Sequence, residues 1–124
     1  MTVNDPAVIA ELRELYPQYE DALVTNNVEK LVEMFWRDPR VMRFGAFENL
    51  YGHEEIDAFR KARPGGNLAR KVTRLDIVSF GKDFASITLE FERGPEHGRQ
   101  SQTWVRFSEG WRIVSAHVSL ISSL

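Results

Sequence analysis

Residues 85–92 read ASITLEFE, and every second side chain in this stretch is apolar. The apolar members are Ala85, Ile87, Leu89 and Phe91. A period of two is typical of a strand with one buried face. The turn sequence Gly81-Lys82-Asp83 separates this stretch from an earlier strand-like segment between Ala69 and about Phe80. The stretch therefore predicts one half of an antiparallel hairpin with an apolar face.

Two further strands are predicted after this hairpin. Residues Gly94 to Gly98 are expected to form a loop that leads into a strand from Arg99 to Phe107. Glu109-Gly110 is a hairpin turn signal, and the last strand is expected to run from Trp111 to about Leu120. The second half of the chain thus predicts four long antiparallel strands.

The first half of the chain has helical periodicity instead. Asp5 and Pro6 are typical of an N-cap and a first helical position. Apolar residues then recur three or four apart, at Ile9, Leu12, Tyr16, Tyr19 and Leu23. Pro17 lacks a backbone donor, so we expect a kink or a restart of this first helix near Leu15 to Pro17.

A second helix is predicted to follow the first. Asn26 or Asn27 can cap it, and Asp38-Pro39 ends its pattern. The apolar face of this helix comprises Val28, Leu31, Val32, Phe35 and Trp36.

Two short strands and a third helix complete the first half. The strands are expected at Val41 to Phe44 and at Phe47 to Tyr51, on either side of Gly45. Gly52 leads into the third helix, which Pro64-Gly65-Gly66 stops. Helices followed by strands predict an α+β fold. A curved, mainly antiparallel sheet wrapped by three helices would form a cone that encloses a pocket, with the outer face of the sheet free for dimerisation.

Composition limits the class of protein. The 124 residues are 43% hydrophobic and carry a net charge of −2, which predicts one near-neutral globular domain over 1–124. The absence of cysteine excludes disulfides, thiolate metal sites and a cysteine nucleophile. No stretch approaches the roughly 20 apolar residues of a membrane span, and residues 1–27 lack a secretory pattern, so we expect a cytoplasmic protein. The lack of a basic block argues against nucleic acid as a partner.

Two blocks of sequence resemble the nuclear-transport-factor-2-like superfamily and, within it, the AtzH/HpxZ-like family. The first block contains Arg43-Phe44-Gly45 and Glu48-Asn49-Leu50-Tyr51-Gly52. The second contains Gly98-Arg99-Gln100-Ser101-Gln102-Thr103-Trp104 and continues from Gly110-Trp111-Arg112-Ile113 to Ala116-His117-Val118-Ser119-Leu120. The resemblance implies a cone-shaped α+β domain that is a homodimer through its sheet. HpxZ-like members are named for oxalurate catabolism, and AtzH for cyanuric acid catabolism. The activity of the AtzH type is the decarboxylation of an N-carboxylated urea, from 1,3-dicarboxyurea to allophanate.

Tyr19 and Arg43 form the predicted catalytic pair. In a cone, the helix stripe that carries Tyr19 and the strand that carries Arg43 can face one cavity from opposite walls. A guanidinium can hold a carboxylate of a small anionic, urea-like substrate through two hydrogen bonds, and a phenol can protonate the departing nitrogen. The alternatives are a tyrosine at the edge of the core, and an arginine in an ion pair with Glu48 or Glu54.

Seven further residues are predicted substrate ligands: Arg60, Arg63, Arg70, Gln102, Trp104, His117 and Ser119. By strict alternation His117 would share a face with Ile113 and Ser115 and line the cavity, or serve as a core histidine. Gln102 and Trp104 share a face with Gln100, and the amides of Gln100 and Gln102 could bind a urea, although this face could also be a dimer interface.

The three arginines of this set cluster around the third helix. They would draw an anion toward the pocket, and the alternative is a solvated basic surface.

No metal and no cofactor are expected. The three histidines, at 53, 97 and 117, lack the close spacing of a metal site, and no glycine-rich phosphate loop opens a helix. A cofactor-free enzyme is therefore the first hypothesis. The second is a non-catalytic ligand-binding module, or a partner of an amidase, in oxalurate or ureide catabolism. The third is an isomerase or dehydratase, which needs a buried aspartate or an aspartate–histidine pair, and Asp21 and Asp76 are the nearest candidates.

Overall fold

The computed structural model of the chain describes residues 1–65 and 68–121. Its helices are α1 (Pro6–Val24), α2 (Val28–Glu33) and α3 (His53–Ala62). Its strands are β1 (Met42–Phe44), β2 (Asn49–Tyr51), β3 (Lys71–Phe80), β4 (Phe84–Arg93), β5 (Glu96–Phe107) and β6 (Gly110–Ile121).

The six strands form one sheet in the order β2-β1-β6-β5-β4-β3. All neighbours are antiparallel except β1 and β6, which run parallel with Arg43 opposite Ala116. The helices cover the concave face of the sheet, and the apolar stripe of α1 packs into the core against β4, β5 and β6. The predicted fold class, an α+β cone with three helices on a curved sheet, is confirmed.

The first helix differs from its prediction at Pro17. Asp5 caps it as expected, because its side chain accepts a hydrogen bond from the amide of Ala7 at 3.0 Å. The helix then continues through Pro17 as one element, so the predicted restart is wrong. Because proline has no N–H, the carbonyl of Arg13, four residues earlier, has no helical hydrogen bond from residue 17. Both residues are exposed, so water can solvate this carbonyl.

Two other boundaries differ from their predictions, and a third agrees. The loop expected from Gly94 to Gly98 is a tight turn, because β5 begins at Glu96 and Gly94 has a φ of 59° that suits glycine. The second helix ends at Glu33, and Phe35 forms a parallel bridge with Ile113 instead of a last helical turn. The third helix ends at Ala62, just before the stop predicted at Pro64-Gly65-Gly66, of which Gly66 lies outside the described residues, so this boundary agrees with its prediction.

A β-bulge changes the alternation of side chains along β6. Trp104 pairs with Ile113 and Thr103 pairs with Ser115, so Val114 is an extra residue that pairs with nothing on β5. Side chains on the cavity side therefore change from odd to even positions at the bulge. Because of this shift, the last cavity-facing residues of the strand are Ala116, Val118 and Leu120.

Candidate functional site

A cavity of about 260 Å³ lies between α1, the β1–β2 hairpin and strands β4 to β6. Its polar and charged lining residues are Tyr19, Arg43, Glu48, Arg63, Arg70, Arg93, Glu96 and Gln100. The structure thus places Tyr19 and Arg43, the predicted pair, in one cavity. Such a volume suits a small molecule rather than a cofactor-sized ligand.

Tyr19 reaches the cavity from the buried stripe of α1. It is 1% exposed, and its ring packs 5.9 Å from the ring of Tyr16. Its hydroxyl accepts a hydrogen bond from Nε2 of Gln100 at 3.2 Å. Tyr19 thus lies within the core, with its hydroxyl bonded to a side chain of β5, and not at the edge of the core, which was the structural alternative.

The side chains of Glu20, Arg70 and Gln100 form a chain of hydrogen bonds that leads to Tyr19. Arg70 donates from Nε and Nη2 to the two carboxylate oxygens of Glu20, each at 2.8 Å. It also donates from Nη1 to Oε1 of Gln100 at 3.1 Å. Three nitrogens of Arg70, a predicted ligand, are thus bonded to protein, and this arginine orients its neighbours.

Glu20 also holds the hydroxyl of Tyr16, which donates to its Oε1 at 2.8 Å. Burial pushes the pKa of the Glu20 carboxyl upward, but the hydrogen bonds and positive charge of Arg70 outweigh burial and hold this pKa below its usual value. Burial, followed by the negative charge of Glu20, raises the pKa of Tyr16. Tyr16 therefore stays neutral and donates its hydrogen within the protein.

Arg43 points inward because it pairs with Ala116, whose side chain lies on the cavity side of β6. Its Nη1 donates to Oε1 of Glu48 at 2.8 Å, so of the two predicted ion-pair partners Glu48 is the one observed. The carboxylate of Glu48 occupies the space where a side chain on residue 45 would begin, so a residue larger than Gly45 would displace this carboxylate. The Nε of Arg43 is buried and has no hydrogen-bond partner in the part of the chain described.

Three arginines surround the ring of Phe59. The guanidinium carbons of Arg43, Arg60 and Arg63 lie 5.5, 5.9 and 6.0 Å from the ring centre. Arg60 is completely buried, and none of its guanidinium nitrogens has a hydrogen-bond partner among residues 1–65 and 68–121. Burial, together with the charges of Arg43 and Arg63, lowers the pKa of Arg60 to about 10.

Two more arginines face the ring of Phe91. Arg70 lies 4.4 Å and Arg93 5.7 Å from its centre. With Arg60 buried and the side chain of Arg70 only 2% exposed, the alternative of a solvated basic surface is wrong for both. Arg93 was missed by the sequence analysis, although it continues the alternation of the apolar residues of β4 and so belongs on the buried face.

The site carries an excess of positive charge. Five arginines (43, 60, 63, 70 and 93) lie in or beside the cavity, against the three carboxylates of Glu20, Glu48 and Glu96. The net charge is therefore about +2, in a region where burial weakens screening by water. Such a site favours a small anion with two negative charges.

The structure places five predicted ligands outside the lining of the cavity: Arg60, which is completely buried beside Phe59, and four others. His117 and Ser119 lie on the outer face of the sheet, because the bulge at Val114 reverses the expected alternation; His117 packs edge-on against Phe44, 5.8 Å away. Gln102 and Trp104 are on the inner face but lie in the core, where the indole nitrogen of Trp104 donates to Gln102 at 2.9 Å.

The aspartates of the third hypothesis do not form a buried acid. Asp21 and Asp76 are both exposed, and Asp76 pairs with Arg74 at the surface. Within the described ranges, no group of three or more His, Asp or Glu side chains is arranged to hold a metal ion. None of the described helices has the length and apolar character needed to cross a membrane.

Comparison with known proteins agrees with this architecture. A family model described as AtzH-like matches residues 1–123. A crystal structure of a protein of unknown function from Pectobacterium atrosepticum is 49% identical, with a TM-score of 0.94 over 97% of this chain and 95% of that one. A cystatin-like fold protein from Burkholderia xenovorans is 42% identical, with a TM-score of 0.93 over 98% and 97% of the two chains.

More distant structures share the fold alone. A nuclear-transport-factor-2-like protein of unknown function from Pseudomonas putida is 16% identical, with a TM-score of 0.78 over 93% of this chain and 87% of that one. No protein of curated function matches the chain in sequence.

Proposed function

The chain belongs to the AtzH-like family within the nuclear-transport-factor-2-like superfamily, and on this premise we propose that it decarboxylates an N-carboxylated urea. The proposed reaction converts 1,3-dicarboxyurea to allophanate and carbon dioxide, without a cofactor. The observation that carries the proposal is that Tyr19 and Arg43 line one small cavity with a net charge of about +2.

The charge of the site fits the substrate and its product. Dicarboxyurea has a carboxylate at each end, and so its two charges match the excess of the arginines. Allophanate keeps one carboxylate and is expected to bind less tightly, which favours its release. Arg63 and Arg93 line the same cavity as Arg43, and we assign them, together with Arg43, to the carboxylate that is retained.

The proposed chemistry breaks one C–N bond. The carbon of the leaving carboxylate becomes carbon dioxide, and the electron pair of the bond stays on the urea nitrogen. The hydroxyl of Tyr19 gives this nitrogen a proton, and water restores the proton to the phenolate afterwards.

Arg43 is assigned to the carboxylate that is retained. A cation on the departing carboxylate would stabilise a charge that the transition state must lose, and so would oppose the reaction. Its ion pair with Glu48 and its place beside Phe59 orient the guanidinium before substrate binds.

The test follows the decay of freshly made dicarboxyurea, with a protein-free blank because such carbamates also decay unaided. We expect the wild-type protein to accelerate allophanate formation, and Tyr19→Phe and Arg43→Ala each to lose about 100-fold or more. The matched controls are Tyr51→Phe and Arg40→Ala, which change exposed residues. Tyr51 is 53% exposed, and the side chain of Arg40 is 77% exposed. Both controls should keep the wild-type rate.

The same assay distinguishes a decarboxylase from the second hypothesis, a non-catalytic module. A wild-type protein that binds a stable dianion such as glutarate but matches the blank would be a ligand-binding module or an amidase partner, and the decarboxylase proposal would fail.

We also propose that the protein acts as a cytoplasmic homodimer through the outer face of its sheet, in a pathway in which an amidase consumes the product. Light scattering after size exclusion tests the dimer, and a clean monomer at micromolar concentration would refute it.

A further inference from the structure

We propose that Gln100 is a positioning residue that directs the hydroxyl hydrogen of Tyr19 into the cavity. This inference rests on the proposed function, because it concerns how the proton donor of that reaction is oriented. It gives Gln100 a role different from the urea binding that its amide could serve, and it adds Glu20 as the residue that fixes this role through Arg70.

The orientation of the Gln100 amide is set by Arg70. A guanidinium carries only donors, so the amide atom that faces Nη1 of Arg70 must be the oxygen of Gln100. Glu20 fixes Arg70 in turn, because it accepts from Nε and Nη2 through both carboxylate oxygens. The amide of Gln100 therefore cannot reverse without facing its own NH₂ group toward a cation.

The fixed amide determines the role of the Tyr19 oxygen. The NH₂ group of Gln100 faces this oxygen at 3.2 Å, so the hydroxyl accepts that hydrogen bond. Within the described part of the chain, no side chain or backbone oxygen accepts the hydrogen of Tyr19. The hydrogen is thus free to be donated to a ligand in the cavity that Tyr19 lines.

Tyr16 shows the opposite arrangement in the same structure. Its ring lies 5.9 Å from that of Tyr19, but its hydroxyl donates to the carboxylate of Glu20 at 2.8 Å. Two neighbouring phenols thus differ in the partner that each meets: an amide donor for Tyr19 and a carboxylate acceptor for Tyr16. Only the phenol beside the amide has a hydrogen left for the substrate.

The decisive variant is Gln100→Glu, which keeps the size and shape of the side chain. One carboxylate oxygen can still accept from Arg70, but the other replaces the NH₂ group beside Tyr19. The Tyr19 hydroxyl must then donate to Glu and turn its hydrogen away from the cavity, as Tyr16 does. We expect kcat to fall about 100-fold, the loss typical of a missing acid catalyst.

The kinetic effect of the added negative charge must be distinguished from the effect of the reversed hydrogen bond. A charge effect acts on dianion binding, and so raises KM whether residue 19 is Tyr or Phe. A hydrogen-bond effect disappears in the Tyr19→Phe background, where there is no hydroxyl to orient. We therefore expect Gln100→Glu to lower kcat in the wild-type background and to leave the kcat of Tyr19→Phe unchanged.

Two further variants complete the series. Gln100→Leu removes the donor without adding an acceptor, so we expect a fall in kcat that is smaller than that of Gln100→Glu. Gln18→Glu makes the same chemical change at an exposed position of α1 and should keep the wild-type kcat. The inference is overturned if Gln100→Glu keeps kcat within threefold of wild type, or if its effect on kcat is equally large in the Tyr19→Phe background.

A second readout does not depend on turnover. In protein labelled at the tyrosine Cζ carbons, the NMR signal of each phenol depends on the group that its hydroxyl contacts, and Tyr19→Phe identifies the signal of Tyr19. Because Gln100→Glu makes the Tyr19 hydroxyl donate to a carboxylate, as the Tyr16 hydroxyl does, the Cζ signal of Tyr19 should move toward that of Tyr16, and an unmoved signal would refute the reversed hydrogen bond. If the wild-type protein does not accelerate dicarboxyurea decay, the proposed function fails, and this NMR comparison alone decides the orientation of Tyr19.

Discussion

Nη1 of Arg43 donates to Oε1 of Glu48 at 2.8 Å, across a turn in which Gly45 leaves space for the carboxylate. This ion pair has two opposite effects on an anion site. It fixes the direction of the guanidinium, and it also cancels part of the charge that would attract a carboxylate.

Glu48→Gln should therefore strengthen dianion binding. The amide oxygen can still accept from Arg43, while the competing negative charge is removed. We expect the dissociation constant of glutarate, measured by calorimetry, to fall about 3- to 10-fold, which corresponds to about 1 kcal/mol. Glu29→Gln, an exposed change of the same kind on α2, is the control. Weaker binding by Glu48→Gln would instead mean that the full charge of Glu48 is needed to hold Arg43 in place.

Arg60→Met should make the protein more stable and a poorer anion binder. A guanidinium that is fully buried without a partner in the described residues carries an uncompensated desolvation cost. We expect the free energy of unfolding in urea to rise by about 1–3 kcal/mol and the affinity for glutarate to fall. Arg40→Met, at an exposed arginine, should change neither. A loss of stability in Arg60→Met would contradict the view that this cation is held at a cost.

The ion pair of Glu20 with Arg70 should make stability depend on acidity. The folded-state pKa of Glu20 lies below its ordinary value. The contribution of this ion pair to the stability of the fold is therefore fully present above the ordinary pKa, and it is lost as the pH falls through the lowered pKa. Glu20→Gln should cost about 2 kcal/mol near neutral pH, and this difference should shrink below about pH 4.5. Urea unfolding of both proteins across the acid range measures it, and a difference that does not vary with pH would refute the assignment.

Gly98→Ala should damage both packing and binding. The ring of Phe91 lies directly over Gly98, in the space that a methyl group would need. Because Arg70 and Arg93 face the other parts of this ring, displacing it moves two cations of the cavity. We expect a loss of about 1–3 kcal/mol in stability and weaker glutarate binding.

Gly81→Ala provides the comparison for this variant. Gly81 has a φ of 67°, and no atom lies within 4 Å of the position that an alanine methyl group would take, so the change strains the backbone without a clash. It should lower stability by about 1 kcal/mol and leave glutarate binding unchanged. Equal losses of binding in both variants would show that the Phe91 contact is not the cause.

The fold was predictable because helix and strand periods are local properties of the sequence. The alternation of apolar residues in β4 and the apolar stripe on α1 indicate which side chains are buried, regardless of the elements that they pack against. Tyr19 could be placed for the same reason. Arg43 could be placed because a strand arginine between apolar neighbours needs a partner.

The rest of the site depends on contacts between distant segments. Nothing near Gln100 in sequence indicates that Arg70 and Glu20 fix its amide, since the three residues come from β5, the segment before β3, and α1. The burial of Arg60 is likewise set by where α3 docks, and periodicity alone gives it no partner. His117 was misplaced because a bulge breaks the assumption of strict alternation.

The extra residue at Val114 also affects how the lining of this cavity can change during evolution. Deletion of a single codon there would remove the bulge but leave the other pairs of β5 and β6 unchanged, so Val118 and Leu120 would still face the cavity and His117 and Ser119 would still face outward. Deletion of a paired residue between the bulge and His117 would instead move each later side chain to the opposite face and bring His117 and Ser119 to the cavity side. The spacing of the last strand is therefore inherited information in its own right, separate from the identity of its amino acids.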